Sequence, residues 1–137
     1  MVNIKELRIG NIIAGKYHSI IQSISSIVKD ISYSGEYCIC LYNGDKYGID
    51  YIEPIQLTEE LLVKCGMNEC DDACFARYAY RNGKFKMNIM ICGLKKYILS
   101  INDIENRCQI CNVEVKYLHQ LQNIYFDLTG KELEVNL

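Results

Sequence analysis

Cysteine is the residue type with the most potential for chemistry in this chain, which has eight cysteines and two histidines. Two cysteine pairs have spacings that could supply ligands to a tetrahedral zinc site, namely Cys70-x3-Cys74 and Cys108-x2-Cys111. Their flanks, "NECDDACFARY" and "ENRCQICNVEV", lack the glycine and turn residues that shape zinc ribbons. We therefore predict reduced structural thiols with no metal and no cofactor. The spacing leaves open whether these four cysteines approach each other.

A cysteine nucleophile would need a base within hydrogen-bonding reach of its thiol. The available histidines are His18 and His119, and neither belongs to a motif that pairs a nucleophile with a base. The sequence therefore predicts no catalytic residue and a protein that is not an enzyme.

The overall composition is that of a soluble globular protein, with 137 residues, 50% of them hydrophobic and 23% charged. A formal net charge of −2 gives no overall attraction to nucleic acid or to anionic membranes, so both are disfavoured as partners. The N-terminal "MVNIKELRIG" lacks the apolar core of a secretion signal, and no apolar run approaches the roughly 20 residues that cross a bilayer. We expect a cytoplasmic protein whose cysteines do not form a disulfide framework.

Two Asn-Gly pairs predict β-hairpins, because type I′ turns need a positive φ at both central residues. Around the pair at 43–44, the expected register puts Cys40 opposite Tyr47 and Cys38 opposite Ile49, on one inward face.

The second Asn-Gly pair, at 82–83, lies in a segment with clean alternation of apolar and polar residues. The expected register puts Tyr80 opposite Phe85 and Tyr78 opposite Met87, which makes one face apolar. The other face has four cations: Arg77, Arg81, Lys84 and Lys86. These cations could bind the phosphates of a nucleotide or nucleic acid, or they could form an ordinary solvated face that discourages aggregation. The residues favour the solvated face.

The segment "VKYLHQLQNIYFDLTG", residues 115–130, predicts an amphipathic helix that ends at Gly130. Its apolar stripe contains Leu118, Leu121 and Tyr125, and His119 falls on the polar face, where a solvated or hydrogen-bonded side chain is expected. Gln122 falls within the apolar sector. A buried amide must find partners, so Gln122 either caps backbone groups of a neighbouring strand or lines a pocket and orients a ligand. The first alternative is favoured.

These elements predict an α+β fold. A small N-terminal, barrel-like antiparallel β lobe precedes a short helix, which begins after Thr58 and stops at Gly66. A second antiparallel β meander follows, and the C-terminal helix packs on its apolar face. The expected domains are 1–57 and 58–137, or a single compact unit over 1–137.

Three blocks of the sequence resemble a large group of small uncharacterised proteins of gut Bacteroidales and of their phages and other mobile elements. The blocks are "IKELRIGN" at 4–11, "DYIEPIQLTEELL" at 50–62 and "VKYLHQLQNIYFDLTGKELEV" at 115–135. The resemblance covers about a third of the chain. It implies an intracellular accessory protein and assigns no catalytic residue.

The leading hypothesis is a non-enzymatic accessory protein of a phage or mobile element that binds a protein, either a host protein or another copy of itself. The second is a protein that sequesters a small nucleotide-like anion, using Arg77, Arg81, Lys84, Lys86, His119 and Gln122. The third is a nucleic-acid-binding module built on the N-terminal lobe, which the net charge disfavours.

Overall fold

The computed structural model describes residues 2–17, 20–33, 36–69, 78–93 and 96–137. Within these ranges the protein is α+β, with ten strands in two five-stranded antiparallel sheets and two α-helices, one of them C-terminal. The predicted fold class is confirmed.

In chain order the elements are a 3-10 helix (Ile4–Glu6), β1 (Ile12–Gly15), β2 (Ile21–Lys29), β3 (Tyr37–Leu41), β4 (Lys46–Gly48), a 3-10 helix (Ile49–Tyr51), β5 (Ile52–Glu53), α1 (Glu59–Lys64), β6 (Asn68–Glu69), β7 (Tyr78–Asn82), β8 (Phe85–Cys92), β9 (Lys96–Asp103), β10 (Cys108–Val115) and α2 (Leu118–Thr129).

The chain forms two compact units. The first unit consists of Met1–Gln56 and Tyr117–Glu132, and the second of Leu57–Lys116 and Leu133–Leu137. The sheet of the first unit has the strand order β4-β3-β2-β1-β5, and the sheet of the second has the order β10-β9-β8-β7-β6.

The core of the first unit is formed by aliphatic residues that alternate along the strands, among them Ile13, Ile24, Ile39 and Leu41. Because Ile24 lies in the nine-residue strand β2, the stretch "SIIQSISSIVKDI", whose periodicity fits strand or helix, is mainly a strand. In the second unit, Ile89, Leu99 and Ile101 are fully buried.

The first hairpin differs from its predicted register by one residue. The structure pairs Ile39 with Tyr47 and Cys40 with Lys46, because a three-residue loop connects the strands. Gly44 has a φ of +92° there, and its N–H donates to the Leu41 carbonyl, as in a type I turn followed by a left-handed residue. A shift of one residue exchanges the two faces of a strand. Ile39 therefore lies in the core with Tyr47 packed against it, and the prediction that Cys40 shares this inward face is wrong. Cys38 and Ile49 are buried, as predicted.

The second hairpin differs from its predicted register by two residues. The structure pairs Tyr80 with Met87 and Asn82 with Phe85, so the central turn residues are Gly83 and Lys84. Gly83 has a φ of +56°, which suits the first central position of a type II′ turn. A shift of two residues preserves both faces, and Met87 is buried as expected.

The short helix α1 forms where the sequence predicts it. The Thr58 hydroxyl accepts a hydrogen bond from the Leu61 N–H at 3.1 Å, and Gly66 follows the helix with a φ of +83°. The stretch "KYILSI" lies in β9, and "CQICNVEV" forms β10.

The C-terminal helix α2 is grouped with the N-terminal sheet, although the sequence analysis assigns it to the second lobe. The physical reason for this grouping is that polar side chains of α2, Gln122 among them, find their hydrogen-bonding partners in residues 6–12. The expected packing of α2 on the Tyr78/Tyr80/Phe85/Met87 face stays a prediction.

Gly10 offers a test of this packing. Its φ is +93°, and a Cβ added there would lie 2.9 Å from Glu132 Oε1, whereas a Cβ on Gly44, with a φ of +92°, would meet nothing within 4 Å. We expect Gly44→Ala to lower the free energy of unfolding by about 1–2 kcal/mol through backbone strain. Gly10→Ala should cost more, because the Glu132 carboxylate must also move from the position in which it pairs with Arg8. Urea unfolding of both variants tests this, and equal costs would contradict it.

Candidate functional site

Gln122 lies on the buried side of α2 and binds the backbone that leads into β1. Its Oε1 accepts a hydrogen bond from the Ile12 N–H at 2.9 Å, and its Nε2 donates to the Gly10 carbonyl at 3.2 Å. The side chain is 1% exposed, so these bonds satisfy an amide whose burial would otherwise be costly. The prediction that Gln122 caps backbone groups of a neighbouring strand is confirmed.

A network of polar side chains continues from Gln122 along the same side of the helix. Asn123 Oδ1 accepts hydrogen bonds from Arg8 Nε at 3.0 Å and from the Asn11 side chain at 2.8 Å. Asn123 Nδ2 donates to the Glu6 carbonyl at 2.7 Å, and the Arg8 guanidinium forms an ion pair with Glu132. The helical wheel places Asn123 on the solvent side, so sequence reasoning missed this network.

His119 is buried, with 1% of its surface exposed, and its predicted place on a wet helix face is wrong. Its Nε2 lies 3.3 Å from a Glu6 carboxylate oxygen, and its ring stacks on Tyr117 with the centroids 5.7 Å apart. Among the described residues, His119 Nδ1 has no hydrogen-bonding partner. Burial lowers the pKa of His119, and Glu6 opposes this effect only in part, so the ring is neutral at pH 7.

The register shift of two residues changes which basic residues of the second hairpin stand opposite each other, and it keeps Lys86 on the predicted face. Lys84 is exposed in the turn, and exposed Lys86 stands opposite Arg81 in the strand register. Arg77 and the side chain of Arg81 lie outside the described part of the structure. Hydrogen bonds from Asn106, assisted by Lys84, lower the pKa of Asp103 below its usual value. A carboxylate therefore offsets positive charge at this end of the sheet.

The residues of the predicted anion site are divided between the two units. His119 and Gln122 belong to the first unit, and Lys84 and Lys86 to the second. Within the first unit, the polar atoms of Gln122 bind backbone, which makes that side chain part of the scaffold. Anion binding by the remaining residues stays a prediction.

Two buried cysteines, Cys38 and Cys65, have thiol pKa values above the usual range. Burial raises the pKa of Cys65 to about 11. Burial, together with its neighbour Cys40, also raises the pKa of Cys38, whose sulfur lies 3.8 Å from that of Cys40. Thiols with raised pKa values are protonated at neutral pH, so they are weak nucleophiles.

The zinc pairs are only half described, since Cys70 and Cys74 lie outside the described residues. Cys108 and Cys111, both in β10, are free thiols. Within the described ranges, no group of three or more His, Cys, Asp or Glu side chains is arranged to hold a metal ion.

The strand β10 is the most unusual surface of the second unit. It is eight residues long, ends the sheet order and, as far as the described residues show, pairs with β9 alone. The other described edge strands have only two or three residues. Two aliphatic side chains of β10 are partly exposed, Ile110 at 44% and Val113 at 39%. A long, exposed edge presents unpaired N–H and C=O groups that can pair with another chain.

Few of the usual protective features of an edge strand are present in β10. Its sequence, "CQICNVEV", has no proline and a single charged residue, Glu114, which lies 3.7 Å from Lys96. A bulge interrupts the pairing between Gln109 and Cys111, and the ladder is regular from Cys111 to Val115. The sequence predicts this strand but not its edge position, because strand order depends on long-range pairing. The low charge of this segment is the sequence feature that could have indicated a strand open to pairing.

Comparison with models of known protein families, with curated proteins and with solved structures gives no match to this chain. Neither of the described helices has the length and apolar character needed to cross a membrane.

Proposed function

We propose that this protein is a non-enzymatic binding protein that pairs with an extended protein segment through the free edge of β10. The supporting observation is the edge itself: eight residues of strand, one charge, and two partly exposed aliphatic side chains. Outward N–H and C=O groups repeat every second residue along such an edge, and an extended backbone is the ligand that matches this spacing.

The resemblance of the three blocks supports a role as an accessory protein of a phage or mobile element in the cytoplasm. In this chain the blocks lie together: Arg8 binds Asn123, and the Leu118 N–H donates to the Ile55 carbonyl at 2.8 Å. The shared residues therefore build a scaffold. A scaffold role agrees with the resemblance, which assigns no catalytic residue.

The test is a substitution that places a lysine in the edge strand β10. Val113→Lys should abolish co-purification of protein partners from cells, because a charged side chain on an edge strand opposes strand addition. Tagged wild-type and variant chains are purified under native conditions and weighed by native mass spectrometry. The matched control is Val63→Lys, since Val63 is 57% exposed on α1 and lies outside the edge.

The wild type and Val63→Lys should both retain a stoichiometric protein partner, whether a host protein or a second copy. If Val113→Lys retains the same partner, the edge is not the binding surface. If the wild type is always recovered as a single bare chain, the proposed function is wrong.

A further inference from the structure

We infer that the segment which pairs with β10 is β10 of a second copy of this chain, in an antiparallel register centred on Asn112. This inference rests on the proposed function and names the partner of the same edge. The pairing would join two five-stranded sheets into one ten-stranded sheet across a two-fold axis.

The free part of the edge is limited at both ends. Beyond Val115, the Lys116 carbonyl accepts a hydrogen bond from the Leu57 N–H at 2.9 Å, so pairing partners are already present there. Before Cys108 the chain turns, and Arg107 has a left-handed φ of +52°. A partner strand must therefore fit within residues 108–115, whose midpoint lies between 111 and 112.

Symmetry restricts the register further. Two antiparallel edge strands related by a two-fold axis perpendicular to the sheet must have a residue at the axis that faces its own copy. Near the midpoint, the candidates are Cys111 and Asn112. A register centred on Cys111 would put Val113 opposite Gln109, where the bulge interrupts the ladder and the Gln109 side chain bonds Ser100 on the other face of the sheet, so Val113 would have no apolar partner.

The register centred on Asn112 gives better side-chain pairs. Cys111 and Val113 lie on the same face of the sheet as Ile101 and Leu99, their partners in β9, and both of those are buried. Each Cys111 would stand opposite Val113 of the second copy, which extends this apolar row across the seam. The two Asn112 amides would face each other, and each can both donate and accept a hydrogen bond.

Charge is compatible with this pairing. Glu114 is the charged residue of the strand, and each Glu114 would face Ile110 of the second copy. The two Glu114 residues would stand four residue steps apart, or about 13 Å along the strands. This separation exceeds the screening length of about 8 Å at physiological salt.

The decisive experiment introduces opposite charges at the axis. Asn112 is exposed on the polar face, so Asn112→Lys and Asn112→Glu leave the apolar row of Cys111 and Val113 unchanged. We expect the wild type to be a dimer in sedimentation at concentrations from about 1 to 200 µM, a range suited to small interfaces. Each Asn112 variant alone should be monomeric, because like charges would face each other. An equimolar mixture of the two should dimerise again, because lysine then faces glutamate.

Circular dichroism of each variant shows whether it is folded, and Val113→Lys serves as a second edge variant that should also be monomeric. Val63→Lys should remain dimeric. A monomeric wild type throughout this range would overturn the inference. A mixture of folded Asn112→Lys and Asn112→Glu that stays monomeric would overturn the register.

The outcomes separate this inference from the proposed function. If the wild type is monomeric alone but Val113→Lys loses a different co-purified protein, the second copy is excluded and binding through the edge stands. If the wild-type dimer survives Val113→Lys, both are wrong.

Discussion

Replacement of Gln122 by leucine is expected to lower the free energy of unfolding by about 2–4 kcal/mol, although leucine is the more apolar residue. The reason is that Gln122 binds two backbone groups, the Ile12 N–H and the Gly10 carbonyl, from a position that is 1% exposed. Leucine can replace neither bond, and both backbone groups would lose their partner where water has little access. Urea unfolding followed by circular dichroism measures the change.

The control is the same substitution at Gln56, whose side chain is exposed. Gln56→Leu should change the free energy of unfolding by less than about 0.5 kcal/mol, as for an ordinary surface substitution. If Gln122→Leu is as harmless as Gln56→Leu, Gln122 does not support the backbone as described.

Acidification is expected to destabilise the protein through His119. Burial lowers the pKa of His119 in the folded state below the value of about 6.5 that it has in the unfolded chain. Above pH 6.5 both states hold the neutral ring, and this residue adds no pH dependence. Below pH 6.5 the unfolded chain binds a proton that the folded state does not, so stability falls, by at most about 1.4 kcal/mol per pH unit. The fall stops once the pH is below the folded-state pKa.

His119→Gln isolates this effect, because glutamine does not titrate and can still donate a hydrogen bond to Glu6. The free energy of unfolding is measured at several values from pH 7.5 to pH 5. We expect the wild type to lose more stability than His119→Gln between pH 6.5 and pH 5, and to match its slope above pH 7. Parallel curves over the whole interval would show that His119 does not titrate with folding.

The sequence predicts the elements of this fold better than the way they pair. Both hairpins form at the Asn-Gly pairs, yet neither has the predicted type I′ turn. At Gly44 a three-residue loop changes the register by one, and at Gly83 a type II′ turn changes it by two. The one-residue shift of register in the first hairpin moved Cys40 away from the core face. The two-residue shift in the second hairpin kept Met87 on the buried face. Asn-Gly is compatible with several turn types, and packing selects among them.

The helical wheel of α2 gave the apolar stripe correctly and the polar face incorrectly. Leu118, Leu121 and Tyr125 are buried as predicted, but so are His119 and Gln122. Hydrophobicity identifies the side that avoids water, and it cannot identify polar residues whose partners lie more than a hundred positions away, as Arg8 lies from Asn123.

The candidate binding surface was beyond prediction for a similar reason. The residues of β10 read as a strand, but its position at the edge of a sheet is a property of all five strands together. By contrast, the cations of the second hairpin were visible in the sequence, and those that the structure describes, Lys84 and Lys86, are exposed.

The bonds between Gln122 and residues 10–12 also have a consequence for how the chain folds as it leaves the ribosome. The N-terminal sheet is made first, but the helix that completes its unit is translated some 110 residues later. Until then the Ile12 N–H lacks the Gln122 acceptor that it has in the folded chain. The segment 57–116, by contrast, contains nearly all of its own unit and emerges before α2. Synthesis from the N-terminus therefore allows residues 57–116 to acquire native structure before α2 is available to complete the first unit.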